Sequence, residues 1–423
     1  MPAVIKPLML QTWSREITKS FIASSVWGQF SNINDNTKKV PKDTESKVPK
    51  TAIHFVSSEF KENAFKCTIP LLKSLVKPGV GGRQTAKGTG EKPETRYSDI
   101  FWNRVRKVIN SDREGVDIKS VEYLKLAKKH YDLLGDWFKQ DEDYSFQRAI
   151  CEGADIYLTD NQFWEEYEVT NTAPVKALIH PNAVFPGMTR SSMPELSLAN
   201  ATYKSNLVNS LSGLSSSDAF GYEALCHLME YARSHIKPIQ SGDTQYIVLL
   251  SHVQAAQLRK DPEFIAINMG ADNRGESNRV LSGVIGTWQG FKFIEDLRSP
   301  IFHLDGAWDE KAPGFEYVTY KTGTKIDRFS GIASLERKAK GAVASATGTC
   351  EVARILGNGA IGVPLVNGHN LTFKDEPTDF GDFGEICGRK NTGHCRLDFK
   401  SGNGKILENE SSALYFTSTP SGF

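Results

Sequence analysis

The sequence lacks several features that would have pointed directly to a function class. No run approaches the ~18 consecutive apolar residues of a membrane-spanning helix, so nothing is expected to cross a bilayer. Excess charge of one sign is also missing: 51 Lys and Arg face 50 Asp and Glu, a formal net charge of +1. A dedicated nucleic-acid binder would carry a basic field, so that class is disfavoured, although a surface that merely lies near nucleic acid is not. Cysteine is scarce. The six residues (Cys67, Cys151, Cys226, Cys350, Cys387 and Cys395) form no C-x-x-C pair, and a chain of 423 residues needs no disulfide framework. Reduced thiols in a cytosol are the expectation. The opening residues, MPAVIKPLMLQTWSREI, have no continuous apolar segment behind a basic start. No secretory signal is read there, and synthesis in a cytoplasm is expected.

Catalytic constellations are missing too. GVGGRQTAKGTG (79–90) suggests a phosphate cradle, but Lys87 precedes Gly88 and the following segment holds Pro93 and a strand. A P-loop needs its lysine directly after the last glycine, opening a helix, so a loop tip is the better reading. Cys387, His394 and Cys395, with His369 upstream, are metal-ligand types, but C-x₇-C with an adjacent His is not zinc spacing. Asp141, Glu142 and Asp143 are consecutive, and adjacent helical positions point ~100° apart, so they do not converge. A solvated face or an intersubunit salt bridge is expected for them. His227 and His235 lie eight positions apart, and no G-x-S-x-G surrounds a nucleophile. No catalytic, cofactor-binding or metal-binding residue is assigned, and no cofactor is expected.

What is present is an ordinary globular composition, 39% hydrophobic and 24% charged, in a distinctive order. Trp13, Ile17, Phe21, Ile22, Val26 and Phe30 recur at three- and four-residue steps, an amphipathic helix within 9–30. SNINDNTKKVPKDTESKVPK (31–50) is nearly all polar and has too little apolar surface to order itself, so it should lie on a neighbouring surface. AFKCTIPLLKSLV (64–76) reads as a strand, with Pro70 tolerable only at an edge or bulge. A Gly-rich loop follows, then the strand-like RYSDIFWNRVRKVI, so the two runs form an extended hairpin. Val121, Leu124, Ala127, Tyr131, Leu134 and Phe138 mark a long helix that ends near Gly153. Beyond it the pattern is mixed. Asp218 is expected to cap a helix through Tyr222–Ile236, TQYIVLL (244–250) to be a buried strand, and Ser251 to cap a helix. Residues 300–347 show no strong period, VARILGNGAIGVPL (352–365) reads as a short apolar helix, and the remainder reads as short strands closing with SALYFTST.

That order resembles the HK97-like phage capsid fold, an α+β fold with an N-terminal arm, an extended β-hairpin loop (E-loop), a long spine helix, a peripheral (P) domain and an axial (A) domain. The resemblance is closest to the major capsid proteins of N4-like podophages. FKCTIPLLKSLVKPGVGGRQTAKGTGEKPETRYSDIFWNRVRKVI is similar to that family's extended loop, and DWFKQDEDYSFQRAICEG to the end of its spine helix. IKPIQSGDTQYIVLLSHVQAAQLRKDPEF with VLSGVIGTWQGFKFIEDLR resembles its axial domain, and ARILGNGAIGVPL with EPTDFGDFGEICGRKNTGHCRLDF resembles its return into the peripheral domain.

The resemblance implies five segments. Residues 1–55 are the arm, 56–116 the E-loop, 117–180 the spine helix and start of the peripheral domain, 181–347 the axial domain with an insertion, and 348–423 the return. It implies a structural subunit that self-assembles into homo-pentamers and homo-hexamers of an icosahedral shell around packaged double-stranded DNA. No reaction, cofactor, membrane or specific DNA contact is implied. The chain begins directly with the arm, so a separate scaffolding protein is expected, with a portal at one vertex and decoration proteins as further partners. A tail or receptor-binding virion protein would suit a C-terminal β-rich stretch that folded alone, and a nucleotide-dependent enzyme would need a convergent polar pocket. In the loop, Lys77, Arg83, Lys87, Lys92 and Arg96 outnumber Glu91 and Glu94. Docking on an acidic neighbour is expected, with Gly79, Gly81, Gly82, Arg83, Lys87 and Lys92 as candidate intersubunit contacts.

Overall fold

The structure, a computed structural model, describes Trp27, Gly81, Gly90 and residues 51–56, 66–72, 95–112, 120–154, 180–186, 202–215, 218–239, 245–266, 284–296, 298–304, 314–316, 319–321, 324–326, 349–364, 372–378, 383–400 and 407–418. In chain order, strands β1 (Ile53–Val56), β2 (Lys66–Leu72), β3 (Thr95–Phe101) and β4 (Asn103–Asp112) precede helix α1 (Ser120–Glu152). Strand β5 (Ala183–Val184), helices α2 (Thr202–Ser212) and α3 (Tyr222–His235), strand β6 (Tyr246–Ser251) and helix α4 (His252–Lys260) form the middle. Then come β7 (Val284–Trp288), β8 (Phe291–Asp296), β9 (Ile301–His303), β10 (Gly314–Glu316), β11 (Thr319–Lys321) and β12 (Thr324–Ile326). The chain closes with β13 (Thr349–Leu356), β14 (Ile361–Pro364), β15 (Thr372–Thr378), β16 (Phe383–Thr392), β17 (Cys395–Arg396), β18 (Phe399–Lys400), β19 (Leu407–Glu408) and β20 (Ser412–Ser418).

The largest sheet has the order β10-β9-β13-β6-β8-β7, with β20 and then β5 joined through β13. Strand β13 is its centre. One edge pairs with β20 from Cys350↔Ser418 to Leu356↔Ser412, and the other is shared by β9 and β6. Successive strand residues point to opposite faces, and the two faces separate cleanly. Val352, Leu356, Leu414, Phe416, Ile247 and Leu249 join the cluster that holds the C-terminal half of α1. Ala353, Ile355, Ala413, Tyr415, Tyr246, Val248 and Leu250 join the cluster formed with α3 and α4. Each large apolar side chain so buried contributes about 1.5–3 kcal/mol. This sheet, covered on both faces, fixes the position of everything attached to it.

Helix α1 follows the expected stripe: Tyr131, Leu134, Phe138, Phe146, Ala149 and Ile150 are buried. It stops where expected, at Gly153, whose φ of +97° suits glycine and whose N–H donates to Ala149 O at 2.9 Å. Ser251 caps α4 through a full capping box with Gln254, and the Gln254 amide also donates to Thr417 Oγ1 on β20 at 2.8 Å. Three smaller sheets complete the structure: β1-β14-β17, β15-β16-β4 and β19-β18-β3-β2, with a β11-β12 ribbon besides. Pro70 lies on β2, an edge strand, where proline is tolerated. The expected helix within 9–30 lies outside the described residues except Trp27, which is buried and stacks on Phe146 (centroids 5.4 Å apart). Segment 31–50 lies outside them altogether.

Three expectations are corrected. Residues 352–365 are not a helix: they are most of β13, a turn at 357–360, and β14. Apart from the buried, ion-paired Arg354, the residues of β13 in this run are apolar because the strand is buried on both faces, so it carries no alternation. Asp218 does not cap α3. The N-cap is Gly221, and the Tyr222 N–H is met by Asp261 Oδ2 at 2.8 Å, while Asp218 accepts from Ser215 N and Oγ. Asp141 and Glu142 are buried rather than solvated, and Asp143 is half-buried. Their partners lie within the same chain: Glu142 binds Lys390 and His394, and Asp143 accepts from Arg298 at 3.0 Å.

Candidate assembly interface

The extended hairpin is present. Strands β2 and β3 pair antiparallel from Lys66↔Phe101 to Leu72↔Thr95, and the cross-strand bond Thr68 Oγ1 to Asp99 Oδ1 (2.7 Å) lies on the exposed side. The opposite side is anchored: Arg96, Ser98 and Ile100 are buried, and Ile69 packs on the cluster formed by Ile100, Phe101, Leu397 and Phe399. Residues 73–94 join the two strands, and half that length, fully extended, reaches about 36–40 Å. Of the six candidate contact residues, only Gly81 is described. It is exposed, and a Cβ built on it, or on Gly90, would meet nothing within 4 Å. Gly79, Gly82, Arg83, Lys87 and Lys92 lie outside the described residues.

The second strand-like run divides at Trp102. Strand β3 stays in the hairpin sheet while β4 pairs with β16 from Asn103↔Thr392 to Asp112↔Phe383. Gly393 makes this crossing possible, because a Cβ there would collide with the Phe101 carbonyl oxygen. The base of the hairpin is thereby locked to the β15-β16-β4 sheet.

A buried polar hub ties that base to α1 and to the large sheet. Arg396, on β17, donates from Nη1 to Ile150 O (2.8 Å) and Cys151 O (3.3 Å), placing a guanidinium at the negative end of the helix dipole. Its Nε and Nη2 hold Asp398 at 2.7–3.0 Å. Asp398 also accepts from Asn409 Nδ2 (2.8 Å), and Asn409 Oδ1 accepts from the Ser411 and Ser412 N–H groups. His180 closes the chain. Its Nδ1 accepts from Asn182 N, so Nε2–H donates to Ser412 Oγ at 2.8 Å. Burial, followed by the Arg396 charge, holds the His180 ring well below the usual imidazole range, so it is neutral.

Two further ion pairs brace the same helix. Glu142 meets Lys390 of β16 and His394, all buried. On the large sheet, Arg354 Nη2 donates to Asp296 Oδ2 (2.8 Å), which also accepts from Gln147 of α1 (3.3 Å). These are positioning groups, since buried pairs of this kind fix geometry more than they add stability. Nothing local in the sequence announces Arg396, Asp398, Asn409 or His180.

The chemistry-bearing residues singled out above disperse. Cys387 lies on β16, and Cys395 on β17 pairs with Gly362. Among the described residues no three His, Cys, Asp or Glu side chains form a metal-sized group. Cys151, Cys226, Cys350, Cys387 and Cys395 are free thiols, and burial followed by the nearby Glu351 pushes Cys350 up to about 12. A surface cavity of about 430 Å³ between α3 and the β7–β8 turn is lined partly by Tyr222, Cys226, Met229 and Trp288. No described helix is long and apolar enough to cross a membrane.

Comparison with known proteins agrees with this arrangement. No curated protein sequence matches the chain. Among solved structures, the cyanophage Pam1 capsid asymmetric unit is similar over 95% of this chain and 94% of its own, with a TM-score of 0.60 and 13% identity. The capsid of Ralstonia phage GP4 gives 0.55 and 13% over 89% of both chains. The acid-stable capsid of Helicobacter pylori bacteriophage KHP30 gives 0.54 and 12% over 90% and 95%. Similarity at this identity establishes the fold, which is HK97-like. The profile of the family described as phage capsid protein matches residues 48–414, ending within β20, and on that match the chain belongs to the phage capsid protein family.

Proposed function

We propose that the chain is the major subunit of an icosahedral shell, assembling as homo-pentamers and homo-hexamers around packaged double-stranded DNA. The observation that carries this reading is the hairpin. Its base is locked by Gly393 and the Arg396 hub, residues 73–94 join its two strands in sequence, and Gly81 and Gly90 are exposed. A rigid base with a long, Lys- and Arg-rich extension suits reaching across to a neighbour. Arg83, Lys87 and Lys92, with the glycines Gly79, Gly81 and Gly82, are the proposed contacts.

In this reading the arm is 1–55, the E-loop 56–116, the spine helix and first peripheral part 117–180, the axial domain 181–347 and the peripheral return 348–423. The last two are joined firmly, because β13 and β20 pair with β5, β6 and β9 in one sheet. The order of the motifs supports likeness to the N4-like podophage subfamily. A separate scaffolding protein, a portal and decoration proteins are the proposed partners, and assembly takes place in the host cytoplasm. The protein acts structurally, without catalysis.

The test is sedimentation of the full chain across a concentration series, beside Arg83→Glu/Lys87→Glu. Many weak contacts per subunit predict a sharp assembly threshold. The variant should keep its circular dichroism and melting temperature but assemble only at higher concentration. A parent that grows gradually in size, or a variant that assembles like the parent, contradicts the respective part of the reading.

A further inference from the structure

The cavity between helix α3 and the β7–β8 turn, about 430 Å³ in volume, is built from two walls. Tyr222, Cys226, Met229, Glu230 and Arg233 line it from α3, at the steps of three and four that share one helix face. Trp288 and Gln289 line it from the turn. Trp288 stands beside Tyr222, with ring centroids 5.6 Å apart and planes inclined at 41°, and both residues are half-buried. The charged side chains lining the cavity are Glu230 and Arg233, both exposed, so its charges offset one another.

The turn carries strain. Trp288 pairs with Phe291, so Gln289 and Gly290 form a two-residue hairpin turn, with φ of +48° and +88°. Such a turn ordinarily takes Asn, Asp or Gly at its first position, because other side chains are strained at positive φ. Arg233 holds Gln289 there: its Nη2 donates to the Gln289 carbonyl oxygen and to Oε1, each at 3.2 Å. Arg233 is itself steadied over the Phe291 ring, 5.7 Å from the centroid. Backbone strain maintained by a specific contact points to a use for the residue so placed. These bonds occupy one nitrogen of a guanidinium with five N–H donors, and the Gln289 amide retains both of its own.

We propose that this cavity binds a neutral saccharide. A pyranose ring has an apolar C–H face and a rim of hydroxyl groups. The rings of Tyr222 and Trp288 take the face, while Glu230 as acceptor and Arg233 and Gln289 as donors take the rim. The pairing of one carboxylate with one guanidinium disfavours charged ligands, since an anion would meet Glu230 and a cation would meet Arg233. The volume is that of an ordinary small-molecule site and gives room for a short saccharide. A proline-rich peptide also stacks on aromatic rings, but its prolines bring no N–H for Glu230. The site lies within one subunit, so the inference goes beyond the capsid reading and does not depend on it. In a shell every copy would repeat the site, and weak single-site binding would gain by multivalency.

The test is saturation-transfer NMR on the full, unassembled chain with glucose, galactose, N-acetylglucosamine and their disaccharides. A dissociation constant on the order of millimolar is expected for a single ring, with transfer strongest to the ring C–H protons. A second readout is local to the cavity. Cys226 is a half-exposed free thiol there, whereas Cys387 is a half-exposed free thiol on β16. Saturating sugar should slow alkylation of Cys226 by iodoacetamide and leave that of Cys387 unchanged. Trp288→Ala should weaken binding about tenfold or more. Gln289→Gly removes the amide and relieves the strain, so it should keep the parent's circular dichroism yet bind about fivefold more weakly. That variant decides the matter if Trp288→Ala fails to fold. The proposal is overturned if no saccharide gives transfer, if either folded variant binds like the parent, or if glucuronate or glucosamine binds more tightly than the neutral sugars. It is equally overturned if a proline-rich peptide protects Cys226 and no saccharide does.

Discussion

Replacing Arg396 by Met should uncouple the spine helix from the rest of the subunit. The Arg396 side chain is fully buried and makes two sets of bonds: to the last-turn carbonyls of Ile150 and Cys151, and to Asp398. Methionine keeps the packing of the aliphatic stem but carries no charge and no donor, so every one of those bonds is lost. Asp398, only 12% exposed, then keeps the bond from Asn409 but loses its counter-charge. Removing one member of a buried pair costs about 3–5 kcal/mol, because the remaining charge stays desolvated. The measurement is urea denaturation of the unassembled subunit, read as the shift in midpoint at constant slope. Arg396→Met/Asp398→Asn should recover part of the loss, since it also removes the orphaned charge. A single variant within about 0.5 kcal/mol of the parent, the scatter of ordinary surface changes, would show that Arg396 does not hold the helix.

Three other outcomes follow from the same geometry. Glu142→Leu should destabilise by a similar ~3–5 kcal/mol by removing the buried carboxylate that meets Lys390 and His394, and Glu142→Leu/Lys390→Met should be milder, as a double-mutant cycle in urea would show. Gly393→Ala should cost about 2 kcal/mol or more through collision with the Phe101 carbonyl, whereas Gly81→Ala should leave the melting temperature of the subunit unchanged. The depressed pKa of His180 makes stability pH-dependent. The unfolded ring takes up a proton as pH falls below about 6.5 and the folded ring does not, so stability is lost there by up to ~1.4 kcal/mol per pH unit. His180→Gln should flatten that part of the urea-midpoint profile; an unchanged slope would move the titration elsewhere.

Much of the fold was legible where a single period governs a segment. Helix α1 shows one apolar stripe and ends at a glycine, and Ser251 and Gln254 form a capping box within four residues. Pro70 argued for an edge strand or a bulge, and β2 is an edge strand. Legibility failed where the deciding partner is distant. Asp141–Asp143 read as a solvated face because Lys390 and Arg298 are 248 and 155 positions away from the residues they neutralise. Asp218 read as a cap because Asp261, which meets the Tyr222 N–H, sits 39 positions beyond Tyr222. Residues 352–365 read as a helix because a strand buried on both faces loses its alternation, and a short apolar run then has no period to betray it. The hairpin's existence was legible, whereas most of its tip lies outside the described residues.

The central claim is that this chain builds a closed shell from many copies of itself. Electron microscopy of the full chain, produced in bacteria with and without a candidate scaffolding protein, tests it most directly. The account predicts closed particles of uniform diameter in at least one condition, with the extended loop of each subunit lying over its neighbour in the averaged density. Discrete monomers or small oligomers at every concentration and in both conditions would contradict it.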